Sequence, residues 1–221
     1  MGDASSAEKL KAVYRLLLEC YGPQRWWPAE TPFEVMTGAV LTQSSAWVNV
    51  EKAIGNLKAA GKLSAAALRD MPAADLAALI YPSGYYNAKA RKLKAMVEWL
   101  GTYGDDLSRL DRRDFEDLRE ELLGVHGIGP ETADSILLYA LGRPIFVIDA
   151  YTRRLYPRLG IKPDRDTYDA WQRLFMANLP REAATFNEYH ALIVRHGKES
   201  CRKKPRCRGC CLSGACPAFS P

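Results

Sequence analysis

Gly124, Gly127 and Gly129 fall within a few residues of one another, and Pro130 follows at once. No other stretch constrains this chain as much. Apolar-periodic segments flank the glycines, so the spacing predicts one helix over Asp111–Leu123 and another over Pro130–Leu141. The backbone between them must turn sharply or take positive φ. Pro130 suits the first position of a new helix, where its missing N–H costs nothing. Ala133, Ile136, Leu137 and Ala140 carry the buried stripe of that second helix. A short extended apolar link, Pro144–Ile148, then leads to Asp149 at the mouth of another helix. A glycine turn feeding a helix N-terminus leaves backbone N–H groups pointing outward, where they can hold a phosphate. The same pattern also suits a plain helical hairpin with ordinary caps.

The remaining pattern is helical as well. Helices are expected over Ala7–Tyr21, from Thr31 to about Leu41, and over Ala46–Ala60, Ser64–Met71, Pro72–Ile80, Tyr85–Leu100, Asp149–Leu159, Asp166–Leu179 and Arg181–His196. Thr31, Pro32 and Glu34 read as a capping box around a first-turn proline. No stretch alternates with period two for long enough to be a strand, so the expected fold class is all-α.

Net charge is +5 on 221 residues, mildly basic and compatible with nucleic acid. The charge clusters at Lys89, Arg91, Lys92 and Lys94, and again at Arg195, Lys198, Arg202, Lys203, Lys204, Arg206 and Arg208. Taken singly, each cluster reads as a solvated face. No apolar run is long enough to span a bilayer, and no signal peptide is expected before the first helix. The opening MGDASS matches the loose myristoylation pattern through Gly2 and Ser6, a match read as chance.

Five of the six cysteines lie in the last 21 residues. A secreted disulfide scaffold would spread them out, so the expectation is a cytosolic protein with a local metal site. Cys201, Cys207, Cys210 and Cys216 read C-x5-C-x2-C-x5-C. Structural zinc is the generic alternative for four cysteines. Zinc sites, however, pair two short knuckles, and only Cys207 and Cys210 are so spaced. A compact loop around a [4Fe–4S] cluster fits better. Cys211 reads as spare and Cys20 as buried core.

Together the glycine hairpin, Asp149 and the terminal cysteine loop resemble the endonuclease III superfamily of helix-hairpin-helix DNA glycosylases, over nearly the whole chain. Endonuclease III itself spaces its first two cysteines one residue further apart. The resemblance implies two domains. Residues 29–142 would form a helical barrel carrying the hairpin, and residues 1–28 with 143–221 a discontinuous second domain with the iron–sulfur loop at 201–216. It also implies an active site in the cleft between them, with Asp149 as the catalytic aspartate.

Bifunctional members start the second hairpin helix with a lysine that forms a Schiff base with C1′ and later cuts the strand. Counting along VHGIGPETAD, Glu131 stands there. A carboxylate cannot do that chemistry, so base release without Schiff-base strand cleavage is expected. Three stretches, TQSSAWVNVEKAIGNLK, YPSGYYNAKARKL and Trp26-Trp27-Pro28, look like the 3-methyladenine DNA glycosylase III group. By that resemblance Trp26, Trp27, Pro28 and Trp47 would sandwich a flipped base, with Glu131 facing it. Stacked indoles attract a cationic methylated purine with ~2 kcal/mol or more when dry. Asp149 would stabilise the developing oxocarbenium ion, besides any role as a helix N-cap. Gln43 sits where the superfamily inserts a side chain into the gap left by the extruded nucleotide. Lys203, Lys204, Arg206, Arg208 and the N–H groups of Gly127 and Gly129 would meet phosphates. His126 could touch phosphate, while His190 and His196 form no catalytic set and His190 reads as helix packing.

The resemblance thus leads to a monomeric, cytoplasmic, nucleoid-associated hydrolase of N-glycosyl bonds. Its substrate would be double-stranded DNA with a damaged base, chiefly 3-methyladenine, with no membrane partner. Two rivals stay open: a glycosylase for oxidised pyrimidines or mispaired adenine, and a non-catalytic DNA-binding module.

Overall fold

The computed structural model describes residues 5–220, so Gly2 of the myristoylation pattern lies outside the described residues. In chain order the helices are α1 (Ser6–Tyr21), α2 (Pro32–Leu41), α3 (Trp47–Ala59), α4 (Ala65–Asp70), α5 (Ala73–Leu79), α6 (Tyr86–Gly101), α7 (Phe115–Gly124), α8 (Pro130–Ser135), α9 (Ala150–Arg158), α10 (Tyr168–Asn178) and α11 (Ala183–Glu199). No strand occurs among the described residues, and the fold is all-α.

The boundaries follow the caps. Asp114 accepts from the N–H groups of Glu116 and Asp117, which starts α7 at Phe115 rather than at Asp111. The residues before it, Leu107–Arg112, form a 3-10 turn. The second hairpin helix does not run evenly to Leu141; it widens into a π-helical turn over Ile136–Ala140. Thr167 caps α10, so Asp166 stays outside and accepts from the Trp171 indole N–H at 2.7 Å. The expected capping box at Thr31 is only half made. Thr31 accepts from the Glu34 N–H, but the Glu34 carboxylate accepts from the Glu30 N–H and pairs with Lys58 at 2.9 Å.

The chain divides into two compact units. Among the described residues the first comprises 5–26 together with 144–220. In it α1 packs on α10 and α11, and α11 on α9. Its core is aromatic: Phe146 stacks on Phe175 at 4.2 Å, and Phe186, Tyr156 and Tyr189 close around them. Buried hydroxyls need partners. Tyr156 donates to the Tyr189 oxygen, and Tyr189 donates to the Leu10 carbonyl, each at 2.6 Å.

The second unit, Trp27–Arg143, holds α2 to α8. Its α2 is buried almost throughout and packs on α3, α6 and α8. Two lysines of the basic run on α6 leave the solvated face that its charge suggests, while Arg91 stays on it. Lys89 is 1% exposed, and its Nζ donates to the carbonyls of Leu41 and Ser83 at 2.7 Å each. It thereby satisfies a carbonyl at the end of α2 that the helix leaves without a partner. Burial, aided by the charge of Lys92, brings the Lys89 ammonium down to about 8. Lys94 is likewise turned inward, onto the carbonyls of Arg69 and Met71.

Across the hairpin, Arg119 on α7 forks onto Asp134 on α8, with Nε and Nη2 at 2.7 and 3.2 Å from its two oxygens. The Asp134 side chain is fully buried. Removing one member of such a pair leaves a charge in a poor medium. Arg119→Met is expected to cost about 3 kcal/mol in denaturant unfolding, and Arg119→Met/Asp134→Leu less than that single change. A double variant that loses as much as the sum of the singles would contradict this coupling.

Candidate active site

The hairpin turn is built on one glycine. Gly127 has φ +80°, whereas Gly129 is an extended N-cap at φ −95°. A Cβ at Gly127 would also fall 2.4 Å from Cγ of Lys92, whose stem lies across the turn. Gly124 and Gly129 face open space, and the exposed backbone at Gly127 and Gly129 is open to close approach.

Gln43 is tied into this turn. Its Nε2 donates to the Gly127 carbonyl at 3.0 Å and to the Thr132 hydroxyl at 2.9 Å, and its Oε1 accepts from Lys92 Nζ. Both amide hydrogens and the carbonyl oxygen are therefore engaged. Gln43, Ser44, Glu131, Thr132 and Ser135 line a polar hollow of about 250 Å³. Glu131 is exposed in the first turn of α8, where the helix N-terminus favours a carboxylate.

The expected aromatic slot is assembled in part. Trp27, Pro28 and Trp47 line one cavity of about 170 Å³, together with Glu34, Gly38 and Glu51. Glu131 lines the polar hollow instead, and Trp26 belongs to the first unit. The two indoles are not stacked. Trp27 meets Trp47 edge to face, centroids 5.3 Å apart and planes at 83°. Tyr139, which the helical pattern does not single out, packs on Trp27 at 5.3 Å.

In the first unit Asp149 caps α9. One carboxylate oxygen accepts from the Thr152 N–H at 2.7 Å and from the Thr152 hydroxyl at 2.9 Å. The other faces His190 Nε2 at 3.5 Å. Asp149 and His190 are both buried, so His190 is a partner of the carboxylate rather than mere helix packing. A single sequence carries no signal for this pairing. Burial pushes the Asp149 carboxyl up, but the His190 imidazole and the two Thr152 donors outweigh it and hold the carboxyl below its ordinary value of 3.8. Asp149 thus adds stability that is present above pH 3.8 and lost as pH falls through the depressed folded value. His190→Gln is expected to raise the pH at which the Asp149 carboxyl titrates, read from its side-chain carbon shift. An unchanged titration would contradict the pairing.

The cysteine loop follows α11. Cys201 is buried, and Cys207, Cys210 and Cys216 are half-buried. The Cys210 thiol is pushed up by burial first and then by Cys201, Cys216 and Cys207, so the four sulfurs share one neighbourhood. Among the described residues no group of three or more His, Cys, Asp or Glu closes to the geometry of a single metal ion. Two arginines of α9 clasp the loop. Arg154 donates to the carbonyls of Cys201 and Gly197, and Arg158 to the Cys201 sulfur at 3.1 Å and the Arg202 carbonyl at 2.8 Å. Lys203, Lys204 and Arg206 are exposed. Cys20 is exposed rather than core: it continues the inward stripe of Leu10, Val13 and Leu17 but falls in the last turn of α1. Cys211 is half-buried beside it, its thiol pushed up to about 12 by burial and by Cys20.

The all-helical fold with its glycine hairpin, capping aspartate and cysteine loop defines a class of DNA repair protein. Residues 37–181 match the family described as HhH-GPD superfamily base excision DNA repair protein. A protein of Methanocaldococcus jannaschii whose name assigns it to the DNA repair glycosylases is 45% identical over 212 residues, covering 95% of this chain and 96% of the relative. The structure of H. pylori 3-methyladenine DNA glycosylase MagIII bound to 1,N6-ethenoadenine superposes with a TM-score of 0.76 at 30% identity, covering 89% of this chain and 98% of that one. A trapped endonuclease III–DNA covalent intermediate superposes with a TM-score of 0.82 at 21% identity, covering 98% of each chain. This chain belongs to the HhH-GPD superfamily of base excision DNA repair glycosylases.

Proposed function

We propose that this protein is a monofunctional glycosylase that hydrolyses the N-glycosidic bond of alkylated purines, chiefly 3-methyladenine, in double-stranded DNA. The observation that carries the reading is the cavity walled by Trp27, Pro28 and Trp47, with the Glu51 carboxylate and the Glu34–Lys58 ion pair in its lining. An N3- or N7-methylated purine is cationic and already a good leaving group. It needs an electron-rich slot more than it needs a general acid, and the indole faces supply one, with Glu51 beside them. The likeness to MagIII, whose structure holds 1,N6-ethenoadenine, supports the same substrate class.

In this reading Asp149 stays ionised and opposes the positive charge that develops on the sugar as the base leaves. It also orients the attacking water. Glu131 stands where a lysine would form a Schiff base, and a carboxylate cannot. The abasic product therefore leaves without strand cleavage. Extruding the nucleotide costs a few kcal/mol, which favours weakened base pairs. Gln43 fills the gap, giving up its bonds to the hairpin. The N–H groups of Gly127 and Gly129, with Lys203, Lys204 and Arg206, take phosphates, so binding weakens steeply with salt.

The cysteines fit a [4Fe–4S] cluster. Four sulfurs gather in one loop, and Arg158 already donates to one of them, as suits an anionic thiolate. Cys201, Cys207, Cys210 and Cys216 would hold the cluster, which would fix the fold of the basic loop. The enzyme acts as a monomer in the cytoplasm, at the nucleoid. No helix among the described residues is long and apolar enough to cross a membrane.

The reading is tested by incubating the cluster-loaded protein with methylated duplex DNA, separating released bases by chromatography and scoring nicks with and without alkali. The expected result is free 3-methyladenine, with nicks only after alkali. Nicks without alkali, or no methylpurine release, would overturn it.

A further inference from the structure

We propose that Gly38 is a specificity-determining position: its missing side chain seats the Trp27 indole against α2 and so sets the width of base the cavity admits. The inference rests on the reading of that cavity as the base pocket.

Gly38 lies on the buried α2 and lines the cavity. A Cβ built there would fall 3.1 Å from Cζ2 of Trp27 and 3.3 Å from Nε1. Both are tighter than ordinary contact, so the indole would have to give way by a few tenths of an ångström. It is held on other sides. Trp47 meets it edge to face and Tyr139 packs on it, each with centroids 5.3 Å away. A methyl at position 38 therefore drives Trp27 into the cavity or drags its aromatic neighbours along. Helix propensity works the other way, since alanine is favoured over glycine inside a helix by about 1 kcal/mol. Glycine at this buried helical position is thus explained by the seat it provides. Gly55, on α3, lines the same cavity, but a Cβ there meets nothing within 4 Å. A methyl on that wall leaves Trp27 where it is.

The test measures release of 3-methyladenine from duplex DNA by wild type, Gly38→Ala, Gly55→Ala, Trp27→Phe and Trp27→Phe/Gly38→Ala. Gly38→Ala is expected to raise KM about tenfold with kcat little changed, in line with overpacking. Gly55→Ala is expected to cost less. Phenylalanine lacks the Cζ2 and Nε1 atoms that face Gly38, so Trp27→Phe lowers affinity by itself, and adding Gly38→Ala to it costs no more than about twofold. That loss of sensitivity is a signature a general packing defect would not give. If wild type releases methylpurine and Gly38→Ala matches it, the proposal fails while the base-pocket reading stands. If wild type releases none, the base-pocket reading fails first. Should Gly38→Ala not fold, the two Trp27→Phe proteins decide: equal KM supports the proposal, and a further tenfold rise overturns it.

Discussion

The second unit depends on a chain reversal that only glycine makes at low cost. Gly127 takes a left-handed backbone and leaves room for the stem of Lys92. The Gln43 carboxamide then ties the carbonyl of that turn to the Thr132 hydroxyl on α8, while Lys92 ties Gln43 to α6. A larger residue at 127 would be strained in its backbone and would displace Lys92, so the network would fail at two points together. The buried Arg119–Asp134 fork fixes the two hairpin helices behind it. The outer face of the turn is left as bare backbone at a helix N-terminus, which is the arrangement that accepts a phosphate.

A second constraint is local to Asp149. One residue acts as the N-cap of α9 and as a buried carboxylate. The donors that make it a cap, the N–H and hydroxyl of Thr152, also favour its charged form against the cost of burial, and His190 adds to them. Folding thus delivers an ionised carboxylate in a dry setting, and no separate base is needed to keep it so. The same helix carries Arg154 and Arg158, which clasp the start of the cysteine loop. The capped helix and the cysteine loop are therefore mechanically joined within one unit.

Local features were legible in the sequence and tertiary ones were not. The glycine turn, Pro130 at a helix start, Asp149 at a helix mouth and the absence of strands are consequences of backbone chemistry that neighbours along the chain already encode. The cysteine spacing declares itself for the same reason. His190 was misread because its partner is distant in sequence and a helical register cannot name it. Lys89 and Lys94 looked like a solvated basic face, yet they end on carbonyls contributed by other helices. Trp27 and Trp47 line one cavity, but their edge-to-face contact and the packing of Tyr139 on Trp27 are set by tertiary neighbours alone. The seat at Gly38 was invisible for a related reason. A glycine inside a helical pattern reads only as a weak spot until the neighbour that needs its space is seen.

We propose that the charge of Asp149, beyond its capping role, carries base release. Asp149→Asn isolates the charge, because asparagine can still accept from Thr152 and caps helices about as well as aspartate. Binding to duplex DNA and single-turnover release of 3-methyladenine would be measured on the same preparation. Binding is expected to be unchanged and the release rate to fall by at least about 100-fold. Release at the wild-type rate would contradict it.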